Sequence, residues 1–238
     1  MKAVFITGAS KGIGKGIADA FLKQTDYTVF NISRSNTVVN PRLQFLQVDL
    51  SDKNALLNFN FPDHDYEKIV LINNAGTLGE LKHAGAMSDT SIFSAYMVNV
   101  VAPHVLINKF IKHFNDLIKE KIIINISSGA ASSVYDGWSV YCASKSAIDQ
   151  MSRVIDHEQD LINASSKFKV YAIAPGVVET AMQQQLRKAD EADFSRKAKF
   201  IELKDNQALY TPAEVGQRFV ELIENTESID GVISRISI

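Results

Sequence analysis

The chain has 238 residues, 46% of them hydrophobic and 22% charged, and its net charge at pH 7 is −2. This is the composition of an ordinary globular protein, and the near-neutral charge gives no electrostatic reason to expect a nucleic-acid partner. No uninterrupted apolar run approaches the roughly 20 residues that span a bilayer, so we expect no membrane segment.

Cysteine and histidine usage narrows the compartment and the chemistry. The single cysteine, Cys142, excludes an intrachain disulfide and favours a reducing, cytoplasmic location. The five histidines are scattered, without the spacing of metal ligands, so we expect no metal site. The apolar run at the start of the chain is too short for a signal peptide.

The first predicted unit is a strand, a glycine-rich turn and a helix. Residues 2–6 form an apolar run, and apolar residues then recur with helical spacing from residue 13 to about residue 24. Glycines in the turn let the backbone approach an anion, which the amino terminus of a helix favours. A simple tight turn is the alternative. The candidate phosphate contacts are Gly8, Ser10, Lys11, Gly12, Ile13 and Gly14.

The second predicted strand, residues 27–33, ends at Arg34, twenty residues after Gly14. A unit that binds NAD places an acidic residue on the ribose hydroxyls at about this distance, whereas an arginine suits the 2′-phosphate of NADP. Lys11 adds a second cation near the same phosphate. The sequence therefore favours NADP, with ordinary solvated charges as the alternative for both residues.

Two further predicted strands end in residues suited to a bound dinucleotide. Residues 43–48 are followed by Asp49 and Leu50, and Asp49 either accepts from an adenine amino group or caps the next helix. The apolar run 68–72 predicts a buried parallel strand, and the small residues and amides after it form either a floor under the dinucleotide or a plain turn. The candidate floor residues are Asn74, Ala75 and Gly76.

Two long helices are predicted over residues 90–114 and 140–162. Pro103 has no N–H for the carbonyl of Asn99, so we expect that carbonyl to be free to hold a water or a lysine. The first helix is apolar more than half-way round and the second is similar, which indicates a second buried face on each. We therefore expect a homodimer or homotetramer that assembles through these helices.

The predicted catalytic group follows the apolar run 122–126. Ser128 would lie at the carboxyl end of this buried strand, where ligands bind in open α/β sheets. In the next helix Tyr141 and Lys145 are four residues apart and share one face. A neighbouring ammonium favours the phenolate, so we expect Lys145 to lower the pKa of Tyr141 toward neutrality. The alternative is an exposed Tyr/Lys pair without a role.

The last third of the chain completes a single predicted domain, residues 1–238. Residues 169–174 form a strand that stops at a Pro-Gly pair, and the charged stretch 179–207 is the candidate lid over the substrate. Residues 211–225 form a capped helix and residues 231–236 a final strand. The candidate pocket walls, with plain packing as the alternative, are Tyr135, Trp138 and Met182.

These motifs, in this order, resemble the short-chain dehydrogenase/reductase family over nearly the whole chain. The family's T-G-x-x-x-G-x-G, N-N-A-G and P-G motifs stand at residues 7–14, 73–76 and 175–176. Segments 73–79, 137–142 and 179–187 are similar to the sepiapterin reductases and bacterial benzil reductases within the family. The family's catalytic tetrad falls on Asn99, Ser128, Tyr141 and Lys145.

The resemblance implies an α/β fold of Rossmann type, a doubly wound sheet of about seven mostly parallel strands with helices on both faces. It also implies reduction of a small ketone or diketone by NADPH. In that reaction Ser128 and Tyr141 hold the carbonyl, Tyr141 donates the proton, and Lys145 binds the nicotinamide ribose. The further cofactor contacts that it implies are Asp49, Leu50, Asn74, Ala75, Gly76, Tyr141, Lys145, Pro175, Gly176, Val178 and Thr180.

Two other functions are compatible with the same fold. An NAD-linked alcohol dehydrogenase would need an acidic residue at or beside Arg34, and none stands there. A non-catalytic sensor of NADP(H) typically lacks a member of the tetrad, whereas this chain keeps all four.

Overall fold

A computed structural model describes residues 1–115, 120–162 and 167–237, and within them seven strands form one sheet. The strands are β1 Lys2–Thr7, β2 Thr28–Ser33, β3 Leu43–Gln47, β4 Lys68–Asn73, β5 Glu120–Ile126, β6 Lys169–Ala174 and β7 Ile233–Arg235. Their order is β3-β2-β1-β4-β5-β6-β7, and every neighbouring pair is parallel. The predicted α/β fold is therefore confirmed, with all strands parallel rather than most.

Helices cover both faces of this sheet. They are α1 Gly12–Gln24, α2 Lys53–Asn58, α3 Asp89–Tyr96, α4 Ala102–Phe114, α5 Ser139–Leu161, α6 Ala181–Arg187, α7 Lys197–Asp205 and α8 Pro212–Glu224. Phe21 of α1 and Phe219 of α8 belong to the core on one face, and Phe110 of α4 and Ile148 of α5 to the core on the other. The central strands are buried on both sides, which explains their largely apolar sequences.

Two glycines let α1 and α8 approach each other closely. A Cβ atom at Gly16 would lie 1.9 Å from the carbonyl oxygen of Pro212, and one at Gly216 would lie 2.1 Å from the carbonyl oxygen of Gly16. Neither position has room for a side chain. Because α1 begins at the glycine-rich turn, this contact also fixes where the turn lies.

The predicted strands and helices are confirmed, with their ends within two residues of the prediction. The last strand is limited to Ile233–Arg235, and Gly231 before it has a φ of +68°, outside the strand region. The candidate lid contains two helices, α6 and α7, which were not predicted as elements of their own. Their apolar residues pack around Trp138 in a third cluster, apart from the two sheet faces.

Residues Asp89–Phe114 form one continuous helical run of 26 residues. Among the described residues, this run has the length and the apolar composition needed to cross a bilayer. The sequence alone predicts no membrane segment here, because it contains no uninterrupted apolar run of that length. A core helix of a globular protein passes the same test. Here 33% of the most apolar window is buried, and Leu106, Phe110 and Phe114 pack in the core on one sheet face.

Candidate active site

The glycine-rich turn lies at the carboxyl end of β1. At this strand the order of the sheet reverses, since β2 and β3 extend the sheet on one side of β1 and β4 to β7 extend it on the other. Gly8 and Gly12 have φ values of +71° and +56°, which residues with side chains rarely adopt. A Cβ atom at Gly14 would lie 2.4 Å from the carbonyl oxygen of Gly8. Lys11 precedes α1 without a side-chain cap, and the first turn has no acidic residue. The turn therefore fits a phosphate at the amino terminus of α1.

The two predicted cations stand on segments that a hydrogen bond joins. The Thr37 hydroxyl, in the loop after β2, donates to the carbonyl oxygen of Ser10 at 2.7 Å. Arg34 lies on that loop and Lys11 follows Ser10, and both side chains are exposed. Positive charge is thus available at the end of β2, where the sequence predicts a 2′-phosphate.

The alternative role of Asp49 as a helix cap is wrong. Asp52 caps α2, since its carboxylate accepts from the N–H groups of Asn54 and Ala55. Asp49 instead accepts from the hydroxyl and the N–H of Ser51, at 2.7 and 2.9 Å, and these bonds hold the pKa of its carboxyl below the ordinary value. The contact of Asp49 with adenine stays a prediction.

The floor residues after β4 connect the carboxyl ends of β1 and β4, the two strands between which the order of the sheet reverses. The Asn74 side-chain amide donates to the carbonyl oxygens of Thr7 and Gly8, at 2.8 and 3.3 Å. The Thr7 hydroxyl accepts from the N–H groups of Asn74 and Ala75, both at 2.9 Å. The predicted floor residues and the glycine-rich turn, which we also call the phosphate turn, are therefore joined by hydrogen bonds.

Asn99 lies where α3 passes into α4 through a π-helical turn, Met97–Val101. Pro103 provides no N–H for the Asn99 carbonyl, and the wider turn accommodates the proline. The Asn99 side chain is buried and accepts from the Thr77 N–H at 2.9 Å. It donates to the Thr77 carbonyl at 2.8 Å and to the Ser144 hydroxyl at 3.1 Å. Asn99 thus ties the loop after β4 to α5, a contact that the sequence did not predict.

The structure brings together Ser128, Tyr141 and Lys145. Ser128 follows β5, and its side chain accepts from the Ala130 N–H at 3.1 Å and hydrogen-bonds the Tyr141 phenol. Tyr141 and Lys145 lie on the first turns of α5 and are 8% and 5% exposed. The Lys145 ammonium is 5.7 Å from the centre of the Tyr141 ring and donates to the Ile126 carbonyl at 2.7 Å.

The expected pKa shift of Tyr141 is wrong in direction. Burial raises the pKa of Tyr141 to about 12, and only the hydrogen bond with Ser128 acts to lower it. Burial lowers the pKa of Lys145 to about 8, against the opposing charge of Asp149. The loss of water around a phenolate outweighs a cation near its ring. The phenol therefore stays protonated at neutral pH, which is the state that a proton donor needs.

The segment after β6 reaches the glycine-rich turn. Gly176 has a φ of +76°, and a Cβ atom there would lie 2.6 Å from the Tyr210 ring. Val178 forms a single parallel bridge with Tyr210. Thr180 caps α6, and its methyl group would be 3.6 Å from a Cβ atom at Gly12. The predicted contacts after the Pro-Gly pair thus lie beside the phosphate turn.

The three predicted wall residues lie in one aromatic cluster beside Tyr141. The Trp138 ring centre is 4.9 Å from that of Tyr135 and 5.6 Å from that of Tyr141. Phe194, from the candidate lid, stacks on Trp138 at 5.0 Å with an angle of 7° between the rings. Met182 packs against the same cluster.

A set of polar contacts that we call the lid latch, formed by Asp136, Gly137, Asp193 and Ser195, was not predicted. The Asp136 carboxylate accepts from the N–H and hydroxyl of Ser195, at 2.7 and 2.9 Å. A Cβ atom at Gly137 would lie 2.1 Å from the Asp193 carbonyl oxygen. Lys82 forms an ion pair with Asp193 at 2.5 Å. The residues in these contacts are distant in sequence and do not recur at a regular spacing. The sequence therefore gives only one indication of the contact, the glycine before Trp138.

The described residues form neither a metal site nor a reactive cysteine. Within residues 1–115, 120–162 and 167–237, no group of three or more His, Cys, Asp or Glu side chains could hold a metal ion. Burial raises the pKa of the Cys142 thiol, which makes it a poor nucleophile.

The sequence of this chain matches known proteins over most of its length. A family model described as short chain dehydrogenase matches residues 2–191. The chain is 33% identical, over 250 aligned positions, to a benzil reductase ((S)-benzoin forming) from Bacillus cereus, and the match covers 99% of each chain. It is 28% identical over 168 residues to the sepiapterin reductase of Bos taurus, which covers 69% of this chain and 60% of that protein.

Solved structures share the fold. A 4-hydroxyisoleucine dehydrogenase complexed with NADH superimposes with a TM-score of 0.79 at 23% identity. The match covers 100% of this chain and 97% of that one.

Proposed function

The chain belongs to the short-chain dehydrogenase family, and from that premise we propose that it is an NADPH-dependent carbonyl reductase acting on a small ketone or diketone. The observation that carries the proposal is the convergence of Ser128, Tyr141 and Lys145 beside the strand ends that hold the glycine-rich turn. Two hydroxyl donors and a nearby cation suit a carbonyl oxygen that becomes an alkoxide.

The residues at the strand ends fit a dinucleotide. The uncapped amino terminus of α1 and the positive φ angles of Gly8 and Gly12, which shape the turn before it, suit the pyrophosphate. Asn74 and the small residues after it form the floor, and Lys145 would hold the ribose next to the nicotinamide. When bound, the cofactor supplies the hydride.

Tyr141 is the proposed acid of the reaction. Ser128 and Tyr141 donate to the substrate oxygen, and the phenolic proton moves to that oxygen as hydride adds to the carbonyl carbon. The product is an alcohol, and the phenolate that remains is stabilised by the Lys145 ammonium. A pKa of about 8 leaves most of the Lys145 side chains charged at neutral pH.

Arg34 and Lys11 support the choice of NADPH. Both are exposed cations on the two segments that Thr37 joins. An arginine pairs with a phosphate through two parallel hydrogen bonds, which a ribose hydroxyl cannot match. We therefore assign the 2′-phosphate to these two side chains, with Asp49 and Leu50 near the adenine.

The substrate is proposed to bind against the apolar wall formed by Tyr135, Trp138 and Met182, under the lid segment 179–207. An apolar wall with two hydroxyl donors at one end suits a compact ketone with an apolar or aromatic body. Benzil, which gives the Bacillus relative its name, is a diketone of that kind.

Assembly as a homodimer or homotetramer is proposed through helices 90–114 and 140–162. Phe93 is 75% exposed on the first helix, and Val154 and Leu161 are 45% and 75% exposed on the second. Burying such side chains against a second copy removes apolar surface from water. A cytoplasmic location is consistent with the single, reduced cysteine.

Initial rates with NADPH and with NADH, over a panel of diketones, quinones and aldehydes, test the proposal. We expect NADPH oxidation with at least one small diketone and much weaker use of NADH. Tight binding of NADPH without turnover of any carbonyl would favour the non-catalytic sensor. Oxidation of an alcohol with NAD as the preferred cofactor would favour the NAD-linked dehydrogenase.

A further inference from the structure

Helix α5 bonds to the tip of β5 on three successive turns. The pairs are Tyr141 with Ser128, Lys145 with Ile126, and Asp149 with Ser127. The first two pairs belong to the proposed reaction, whereas the third has no part in it so far. Asp149 and Ser127 are 9% and 3% exposed, and the Ser127 hydroxyl donates to the Asp149 carboxylate at 2.5 Å.

We propose that Asp149 is a positioning residue for carbonyl reduction: it anchors the strand tip that carries Ser128 and keeps the Lys145 side chain charged. This inference rests on the proposed function. Asp149 touches neither the reacting oxygen nor Tyr141 and acts through its two neighbours.

The anchoring role follows from chain connectivity. Ser127 and Ser128 are adjacent, and Ser127 is also held by its N–H, which donates to the Ile173 carbonyl of β6 at 2.9 Å. With its backbone and side chain both bonded, Ser127 has little freedom, so the direction of the Ser128 hydroxyl is set. A carboxylate acceptor makes this bond stronger than a neutral one would.

The charge role follows from helical spacing and burial. Asp149 is four residues after Lys145, so the two side chains share one face of α5. A buried ammonium is costly, and a carboxylate on the same face offsets part of that cost. In accord with this, the charge of Asp149 raises the pKa of Lys145 against the larger lowering effect of burial.

Other charged groups near this pair are few among the described residues. Burial raises the pKa of Asp149 above its ordinary value, against the lowering effects of the Ser127 hydrogen bond, of Arg153, one turn further along α5, and of Lys145. The charged residues of β5, Glu120 and Lys121, stand at the opposite end of that strand. Arg235 of β7 reaches Gly129 in the loop after Ser128. Asp149 is therefore the carboxylate placed to act on Lys145.

The Asp149→Asn variant tests the proposal, because an amide keeps the shape of the carboxylate and removes its charge. The alkaline limb of kcat/KM for NADPH-dependent reduction should move to lower pH by about one unit. The pH at which NADPH affinity weakens, measured by calorimetric titration, should move in the same direction. This second readout needs no turnover, so it remains valid if no carbonyl substrate is found.

Two further variants separate the roles. Ser127→Ala keeps the charge but removes the anchor, so we expect a lower kcat and an alkaline limb that stays in place. Asp156→Asn, a partly buried carboxylate further along α5, is the matched control and should shift neither readout. If Asp149→Asn does not fold, Ser127→Ala still tests the anchor.

Each of the following results would overturn a part of this proposal or the proposed function. Asp149→Asn with reduced thermal stability but unchanged pH profiles would make Asp149 merely structural. Equal shifts in Asp156→Asn would indicate a general effect of net charge. Unchanged kcat in Ser127→Ala would remove the anchoring role. Failure of the wild type to reduce any carbonyl would overturn the proposed function but leave the shift in NADPH affinity to decide the charge role.

Discussion

The Lys145 ammonium lies 5.7 Å from the centre of the Tyr141 ring, and both side chains are buried. Burial moves their pKa values in opposite senses, up to about 12 for the phenol and down to about 8 for the amine. At neutral pH the pair is therefore a neutral acid beside a mostly charged cation. That combination favours reduction of a carbonyl, in which the phenol must begin with its proton.

Tyr141→Phe should reduce kcat for carbonyl reduction by at least about 100-fold, because it removes the proposed proton donor. NADPH affinity should change little, since the ring remains. Tyr171→Phe is the matched control, because Tyr171 lies on β6 and its phenol hydrogen-bonds Thr226 away from the site. Near-normal turnover in Tyr141→Phe would assign the proton to another group.

The rate of reduction should fall as pH rises through about 8, where Lys145 loses its proton. Tyr141 does not contribute to this limb because its pKa is about 12. Initial rates with saturating NADPH between pH 6 and 10 measure it. A rate that stays constant up to pH 10 would contradict the assignment.

Stability should respond to the same group with the opposite sign. The ordinary pKa of lysine is 10.5, so between about 8 and 10.5 the unfolded chain binds more protons at Lys145 than the folded chain does. The free energy of unfolding therefore gains from Lys145 as pH rises through this window. Urea unfolding at pH 8 and 9.5 should show this gain in the wild type relative to Lys145→Met.

Arg34→Ala should weaken NADPH binding by about 10- to 100-fold, the loss of a hydrogen-bonded charge pair, and leave NADH binding nearly unchanged. Lys23→Ala is the control, since Lys23 is an exposed lysine in the last turn of α1. Ratios of kcat/KM for the two cofactors measure the effect. Equal loss with both cofactors would place Arg34 away from the 2′-phosphate.

Gly216→Ala should destabilise the protein by about 1 to 3 kcal/mol, because its methyl group would overlap the Gly16 carbonyl oxygen and push α8 away from α1. Since α1 begins at the phosphate turn, NADPH affinity should fall as well. Thermal melts with and without NADPH measure both effects. Gly129→Ala, where a Cβ atom meets only the end of the flexible Arg235 side chain at 3.3 Å, should melt near the wild type.

Asp136→Ala should loosen the lid latch, since it removes the acceptor of both Ser195 hydrogen bonds. We expect KM for the carbonyl substrate to rise more than kcat falls, and proteolytic cleavage within residues 188–196 to accelerate. Ser195→Ala keeps the backbone donor, so its effect should be smaller. Unchanged KM and cleavage in Asp136→Ala would separate the latch from substrate binding.

Much of the fold follows from local sequence. The apolar runs of β1 and β4 are uninterrupted and that of β5 contains one polar residue, Asn125, because these strands are buried on both faces, so their positions are evident without a structure. Glycine spacing predicts the glycine-rich turn, since Gly8 and Gly12 have positive φ values and a Cβ atom at Gly14 would overlap the Gly8 carbonyl oxygen. Spacing of four residues likewise places Tyr141 and Lys145 on one face of α5.

The rest depends on contacts between distant segments. The raised pKa of Tyr141 results from burial, which is not a property of the Tyr-x-x-x-Lys motif. Helices α6 and α7 pack around Trp138, which is distant in sequence, and their own sequences do not indicate this partner. Asp149 stands at the next step of the same four-residue spacing, but its importance emerges only when Ser127 is seen to donate to it.

Trp138 is the only tryptophan in the chain, and it touches both the lid residue Phe194 and Tyr141. Its intrinsic fluorescence therefore originates at one place, between the candidate lid and the proposed proton donor. Any displacement of Phe194 changes the polarity around the indole and hence the wavelength of its emission. The protein thus carries its own optical probe, by which any movement of the candidate lid can be timed in a stopped-flow experiment without any added label.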